Sequence, residues 1–454
     1  MTIKYKENAP LSTPGEKRFF KKVADYFEFD KHKTNYRTEI IAGLSTFMAL
    51  AYIFVVNPSI LAEGGFNKSA VLFATIAVSF LATFVMGVWA KKPFALAPGM
   101  EMNAYVAFFV IAGLGFAWPQ ALGAVFWSGI IFLILTLTNV RTKVIQAIPD
   151  KMKSGLALSV GVFLMLIALS LAGVIAYEGI TFSHFGSILT PLFGVLAFGV
   201  ITVLLLRKFR VPGAVLISII LASVLAHLLG LGSSGESFVI SKDMFSAIFQ
   251  WDLSVILDPR MWSVILILFL VDFYGSVAKF IGLTRGTTIV DKKGNMPQMK
   301  EALSVDGGAT IIGAGLGTTS LTTYVESGVG IAEGGRTGFT AVVISILMLF
   351  FLALTPLLNL VPLIATTGAL FWVGLHLFPS KQEFKTYDKL DIFTVLVMIA
   401  VTILTFAIDK ALLAGFLIYM VGMIVKGKAK EINRYMVIST IVLIVGLVLS
   451  IVIK

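Results

Sequence analysis

The sequence predicts an all-α polytopic membrane protein, on three observations. Of its 454 residues 57% are hydrophobic and only 13% charged, with a mean hydropathy of +0.94, whereas soluble domains carry about 25% charged residues. Apolar stretches of the roughly 20 residues needed to cross a bilayer recur from Thr38 almost to the end, with room for about fourteen. These stretches do not alternate with period two, so helices rather than a barrel must satisfy the backbone in lipid.

Apolar runs read against Gly, Pro and charged breakers place spans at 38–61, 70–90, 94–114, 117–138, 150–174, 188–206, 211–230, 259–283, 300–317, 318–335, 337–358, 361–378, 390–408 and 411–426. The 1–37 segment is basic and lacks the apolar core and cleavage site of a signal peptide, so it is read as a cytoplasmic tail. With the tail inside, the cytoplasmic loops carry Lys91/Lys92, Arg141/Lys143/Lys151/Lys153, Arg207/Lys208/Arg210, Arg285/Lys292/Lys293 and Lys381/Lys385/Lys389. The outer loops hold little besides Lys68, Lys242, Arg260 and Lys410. That bias orients a multi-pass protein of the plasma membrane. It also accounts for the net charge of +11 without nucleic acid. The outer stretch 231–258 contains FSAIFQWDL, expected to form an amphipathic surface helix, and the leftover apolar run 435–453 is read as a peripheral accessory element.

Two spans are unusual. The third, PFALAPGMEMNAYVAFF, and the tenth, GTTSLTTYVESGVGIAEGG, carry helix-breaking residues where a helix should be well under way. Unwound backbone at membrane depth is tolerated where it lines a polar cavity, and transporters use it to bind substrate. The third and tenth spans correspond if the chain is two inverted repeats of seven.

Charge within a span costs at least ~2.5 kcal/mol and therefore marks function or a partner. Span eight offers Asp272, with Ser276 and Lys279 on the same helical face; span ten offers Glu326 and Glu333; span three offers Glu101 and Asn103. For Asp272 the alternative is an ion pair with Lys279 or a neighbouring span. Glu333 and Arg336, at a span end, are expected to form a mutual or interfacial salt bridge. Glu101 is open between binding, coupling and pairing with Lys279. There is no cysteine, and the four His show no metal spacing. The P-loop and nucleophile-elbow motifs are also missing. The expectation is a carrier driven by an ion gradient, with no catalytic residues, no metal and no cofactor.

Four stretches resemble the AzgA-like purine permeases of the nucleobase:cation symporter family, in the xanthine/uracil permease superfamily: RTEIIAGLSTFMALAYIFVVNPSIL at 37–61, PFALAPGMEMNAYVAFF at 93–109, LGAVFWSGIIFLILTLTNVR at 122–141 and TTSLTTYVESGVGIAEGGRTGFTAVV at 318–343. The resemblance implies fourteen spans in two inverted repeats, with short extended segments in spans 3 and 10. It implies a core domain of spans 1–4 (38–141) and 8–11 (259–358), and a gate domain of spans 5–7 (142–258) and 12–14 (359–426), followed by a basic linker and accessory segment at 427–454. It further implies that Asp272 and Glu326 bind a purine base, that Asn103 shapes the site, and that guanine, hypoxanthine or adenine is taken up with H+. Ser276, Glu101 and Thr323 complete the expected binding set; Glu101, Lys279 and Glu333 are the candidates for coupling or ion pairing. Three positions depart from the family pattern: Gly275 replaces a second Asp, Lys279 a Thr, and Glu101 a Gly. The expected partners are a small-molecule nucleobase and the lipid bilayer, with a homodimer left open. Alternatives are a pyrimidine, xanthine or organic-anion carrier on the same fold, an intramembrane enzyme, or a channel.

Overall fold

The computed structural model describes residues 14–138, 150–178, 181–209, 211, 213–232, 242–284, 287–291, 296–354 and 360–452. The loop cations Arg141, Lys143, Arg210, Arg285, Lys292 and Lys293, and residues 1–13 of the tail, lie outside them. Among the described residues the helices form fourteen spans. Spans 1 to 7 are Tyr36–Ala62, Lys68–Val88, Met100–Ile111 with the strand before it, Trp118–Leu137, Asp150–Leu171, Pro191–Lys208 and Ala214–Leu228. Spans 8 to 14 are Arg260–Thr284, Met299–Leu316, Ser327–Ala332 with its strand, Gly338–Phe350, Leu363–His376, Lys389–Thr405 and Ile408–Val425.

The packing carries the repeat. Span 2 lies against span 11 and span 4 against span 9; span 1 meets span 11 and span 8 meets span 4. Span 5 packs on span 12, span 6 on span 12 and span 13 on span 5, span 6 on span 7 and span 13 on span 14. Exchanging each span n of the first seven for span n + 7 maps these pairs onto one another. An odd number of crossings per repeat makes the two copies antiparallel across the bilayer. The architecture is therefore an all-α bundle of two inverted seven-span repeats.

Small residues let the spans approach closely. A Cβ built on Gly338 of span 11 would stand 1.9 Å from the Gly87 carbonyl oxygen of span 2. Gly338→Leu is expected to force this crossing apart at a cost of about 1–3 kcal/mol. A lowered melting temperature in detergent would show it; an unchanged one would mean that the crossing is not tight.

Spans 3 and 10 are broken as their sequences predict. Strands β1 (Leu96–Pro98) and β4 (Leu321–Thr323) pair antiparallel, with Leu96 opposite Thr323 and Pro98 opposite Leu321. A two-stranded ribbon inside a membrane leaves its outer edges unpaired, and such groups cost several kcal/mol in hydrocarbon. Hydroxyls of neighbouring spans satisfy them in a symmetric way. Thr83 of span 2 accepts from Leu96 N at 2.9 Å, and Thr310 of span 9 accepts from Leu321 N at 3.1 Å. Ser327 accepts from Ala95 N at 3.0 Å. Beyond β1 the helix relaxes into a π-helical stretch over Tyr105–Ile111, a distortion frequent at functional sites.

Two expectations change here. The 231–258 stretch, described at 231–232 and from Lys242 onward, forms short 3-10 turns at Lys242–Phe245 and Leu253–Leu257 rather than a surface helix. It is tied down, with Phe249 N bonded to Gly315 O at 2.7 Å and Asp252 N to Pro119 O at 2.9 Å. Between spans 5 and 6 lies an unanticipated hairpin of β2 (Ile175–Glu178) and β3 (Thr181–Phe185). The apolar run near the end is one helix, Arg434–Val452, packed on spans 8 and 14.

Candidate functional site

The β1–β4 ribbon sets Glu101 and Glu326 just beyond the ends of its two strands, facing one cavity of about 90 Å³. Its inner wall is Tyr52, Met100, Glu101, Lys279, Thr322, Tyr324 and Glu326, from spans 1, 3, 8 and 10. The opposite wall is Arg207 of span 6 with Trp372, Val373 and His376 of span 12.

Glu326 immediately precedes the half-helix Ser327–Ala332 but makes no side-chain cap to it. Its carboxylate instead turns to the cavity and accepts from the Tyr52 hydroxyl at 2.9 Å. Tyr52 stands at the join of the two helical stretches of span 1, Tyr36–Leu50 and Ile53–Ala62, with its own backbone still helical. Tyr324 is held by a 2.6 Å bond from its hydroxyl to Pro98 O. Lys279 donates to Thr322 Oγ1 at 3.0 Å and lies 3.4 Å from Glu101 Oε1. Across the cavity the Arg207 guanidinium lies over the Trp372 ring, 5.1 Å from its centroid.

A second layer sits behind Thr322. Ser276 and Thr322 exchange a hydrogen bond of 3.0 Å. Thr310 donates to Asp272 Oδ2 at 2.9 Å while accepting from the ribbon edge, so one hydroxyl joins span 8, span 9 and β4. Asp272 is 1% exposed and Asp306, on span 9, is 0% exposed. Asp306 lies within electrostatic reach of Asp272. The Ser276 hydroxyl adjoins Asp306 but is engaged with Thr322. Among the described residues, Asp272 Oδ1 and both Asp306 carboxylate oxygens have no hydrogen-bond partner.

The expected residues thus fall into two layers. Glu101, Lys279 and Glu326 line the cavity, whereas Asp272, Ser276, Asn103 and Thr323 do not. The Asn103 carboxamide oxygen accepts from Thr319 of the span 10 approach, bracing the two broken spans against each other; its Nδ2 and the Thr323 hydroxyl have no partner among the described residues. Lys279 is paired with Glu101 rather than with Asp272.

The salt bridge expected between Glu333 and Arg336 is not formed. Gly334, at φ +102°, reverses the chain, and the Arg336 guanidinium folds back onto the Ile331 and Gly335 carbonyls at the helix end. Glu333 is exposed there. The carboxylate that does engage this turn is Glu39 of span 1, 0% exposed. It accepts from Arg336 N at 3.1 Å, Thr337 N at 3.3 Å and Thr340 N at 3.2 Å. These are the orphan donors at the start of span 11, so Glu39 gives the EGGRTG run a structural purpose. Asp306, Glu39, Tyr52, Arg207 and Trp372 are the site and support residues that the sequence reading passed over.

Comparison with known proteins agrees with this picture. The family model described as "Permease family", that of the xanthine/uracil permeases, matches residues 37–404. The adenine permease AdeP of Escherichia coli is 33% identical over 93% of this chain and 95% of its own length. The guanine/hypoxanthine permease PbuG of Bacillus subtilis is 34% identical over 90% of this chain and 96% of its own. The transmembrane domain of the cyanobacterial bicarbonate transporter BicA superposes with a TM-score of 0.62 at 17% identity, covering 83% of this chain and 96% of that one, a likeness of fold alone. With its inverted repeats, its two broken spans and the charged and aromatic cavity beside them, this chain is a multi-pass membrane transporter rather than an enzyme, and it belongs to the xanthine/uracil permease family.

Proposed function

We propose that the protein takes up purine nucleobases together with protons, by alternating access. The observation that carries the reading is the Glu326 carboxylate, fixed by Tyr52 and aimed into a cavity walled by aromatic rings. A planar base needs both features: a charge-assisted acceptor for its ring N–H groups and flat apolar surfaces for its faces. The relatives named as adenine and guanine/hypoxanthine permeases point to the same class of ligand.

In this reading Glu326 binds the base directly, with Glu101 and Lys279 beside it. Ser276, through Thr322, and Asn103, through Thr319, brace the ribbon beside them, of which Thr323 is itself a part. In this reading the proton belongs to the layer behind, where a proton bound to either of two buried carboxylates relieves the repulsion between them. Thr310 and the Ser276–Thr322 pair connect that layer to the cavity wall, so protonation there and occupancy of the cavity are linked through the ribbon. Spans 1–4 and 8–11 form the core that carries the site, and spans 5–7 and 12–14 form the gate. With the tail inside, the cavity, which reaches the last turn of span 6 at Arg207 and of span 12 at His376, opens to the cytoplasm.

The test is uptake of labelled hypoxanthine in cells lacking their own purine transport, with unlabelled bases as competitors and with a protonophore. Saturable uptake, competed by purines and abolished by the protonophore, is expected. If no purine competes, the nucleobase reading is wrong; if the protonophore has no effect, the proton coupling is.

A further inference from the structure

The inner wall of the cavity has two chemical poles. Glu326 is an acceptor only, and Lys279 is a donor only. Lys279 Nζ is committed on two sides, to Thr322 Oγ1 at 3.0 Å and towards Glu101 Oε1 at 3.4 Å. An ammonium has three N–H bonds, and Lys279 lines the cavity, so the third is available to a ligand. Lys279 and Glu101 are mostly buried, their side chains 15% and 13% exposed. Glu101 therefore compensates the lysine, and Glu326 is left to act on the ligand.

We propose that Lys279, positioned by Glu101 and Thr322, reads the 6-oxo edge of the base, so that the site selects 6-oxopurines over 6-aminopurines. The inference rests on the nucleobase reading and adds a substrate class within it. A 6-oxopurine presents two adjacent acceptors, O6 and N7, which is the edge a lysine or arginine reads in guanine. Its neighbouring N1–H, and the 2-amino group where present, are donors for a carboxylate. Both poles of the cavity are then matched by one orientation of the ligand. In a 6-aminopurine the exocyclic group is a donor directed at a cation, and N1 is an acceptor directed at a carboxylate. That orientation is mismatched at both poles, and each mismatched edge is worth roughly 10- to 100-fold in affinity.

The pair also explains itself as a unit. Glu101 and Lys279 each stand where the family pattern has an uncharged residue, and each would be a lone charge in the membrane without the other. Glu101 is a positioning residue, and Lys279 is the one that touches the ligand.

Competition for labelled hypoxanthine uptake tests this directly. In the wild type, hypoxanthine and guanine should inhibit at least ~10-fold more strongly than adenine, and unsubstituted purine, which lacks O6, should fall with adenine. In a Glu101→Gln/Lys279→Met double variant, which removes both charges together, the hypoxanthine-to-adenine ratio should fall to within ~3-fold of unity. A ratio does not depend on how much carrier is folded. The wild-type comparison of hypoxanthine with purine needs no variant at all. The inference is overturned if adenine or purine competes as well as hypoxanthine in the wild type, or if the double variant keeps the wild-type ratio. Failure of every base to compete would instead overturn the nucleobase reading beneath it.

Discussion

Glu326→Gln is expected to lower uptake of the transported base by roughly 100-fold or more while leaving the protein folded in the membrane. The glutamine carbonyl can still accept the Tyr52 hydroxyl that now bonds Glu326 at 2.9 Å, so the local structure survives. What changes is the face shown to the ligand. A carboxylate accepts from ring N–H groups at both oxygens, whereas the amide replaces one acceptor by a donor. Hydrogen bonds to a charged group are worth about 1.5–3 kcal/mol each, and an opposed donor adds a desolvation penalty of about 1–3 kcal/mol. Together, at about 2.5–6 kcal/mol, they match or pass the 2.7 kcal/mol or so of a hundredfold effect. Uptake within about threefold of wild type at equal surface expression would remove Glu326 from the binding site.

The second large effect is expected at Asp306, where Asn should abolish accumulation driven by a pH gradient while exchange of labelled for unlabelled base continues within a few-fold of wild type. Asp306 lies outside the cavity wall, so its loss takes nothing from the ligand. It does take one of two carboxylates whose oxygens are largely unpartnered among the described residues. In the proposed coupling it is this repulsion that lets a bound proton change the energy of the ribbon. The measurement is proteoliposome uptake under an imposed pH gradient, set beside counterflow in its absence. Gradient-driven accumulation by the Asn variant would place coupling elsewhere, with Glu101 the next candidate.

The broken third and tenth spans were legible because helix breakers inside apolar runs have few other meanings, and Asp272 and Glu326 because charge in lipid is costly. Asp306 was harder to see. It stands only seven residues into span 9, after Lys300 and Glu301, and reads as part of a polar span entrance; the helix Met299–Leu316 carries it inward. The overlooked signal was Thr310, one turn on and on the same face. Glu39 looks like an interfacial charge beside Arg37, since its partners lie 297 to 301 residues away and no local pattern announces them. Arg207 and Trp372 were hidden for a different reason. Positive charges at span ends are accounted for by orientation, and one tryptophan in an apolar helix by packing, so only the juxtaposition of spans 6 and 12 gives them a place at the cavity. The hairpin at 175–185 left a fainter trace, β-branched and aromatic residues on either side of a Glu-Gly pair, within what otherwise reads as loop.

A base seated in this cavity, against Glu326, must shield the residues that line it. The chain has no cysteine, so Val325→Cys would introduce its single thiol, at a residue that lines the cavity and is 37% exposed. Alkylation of that thiol by a small polar reagent in membranes, with and without saturating hypoxanthine, measures occupancy at the site. That placement predicts ready labelling that the base slows at least several-fold in the Val325→Cys protein, and no such protection when Glu326→Gln is added. Equal labelling with and without base, in a variant that still transports, would contradict it.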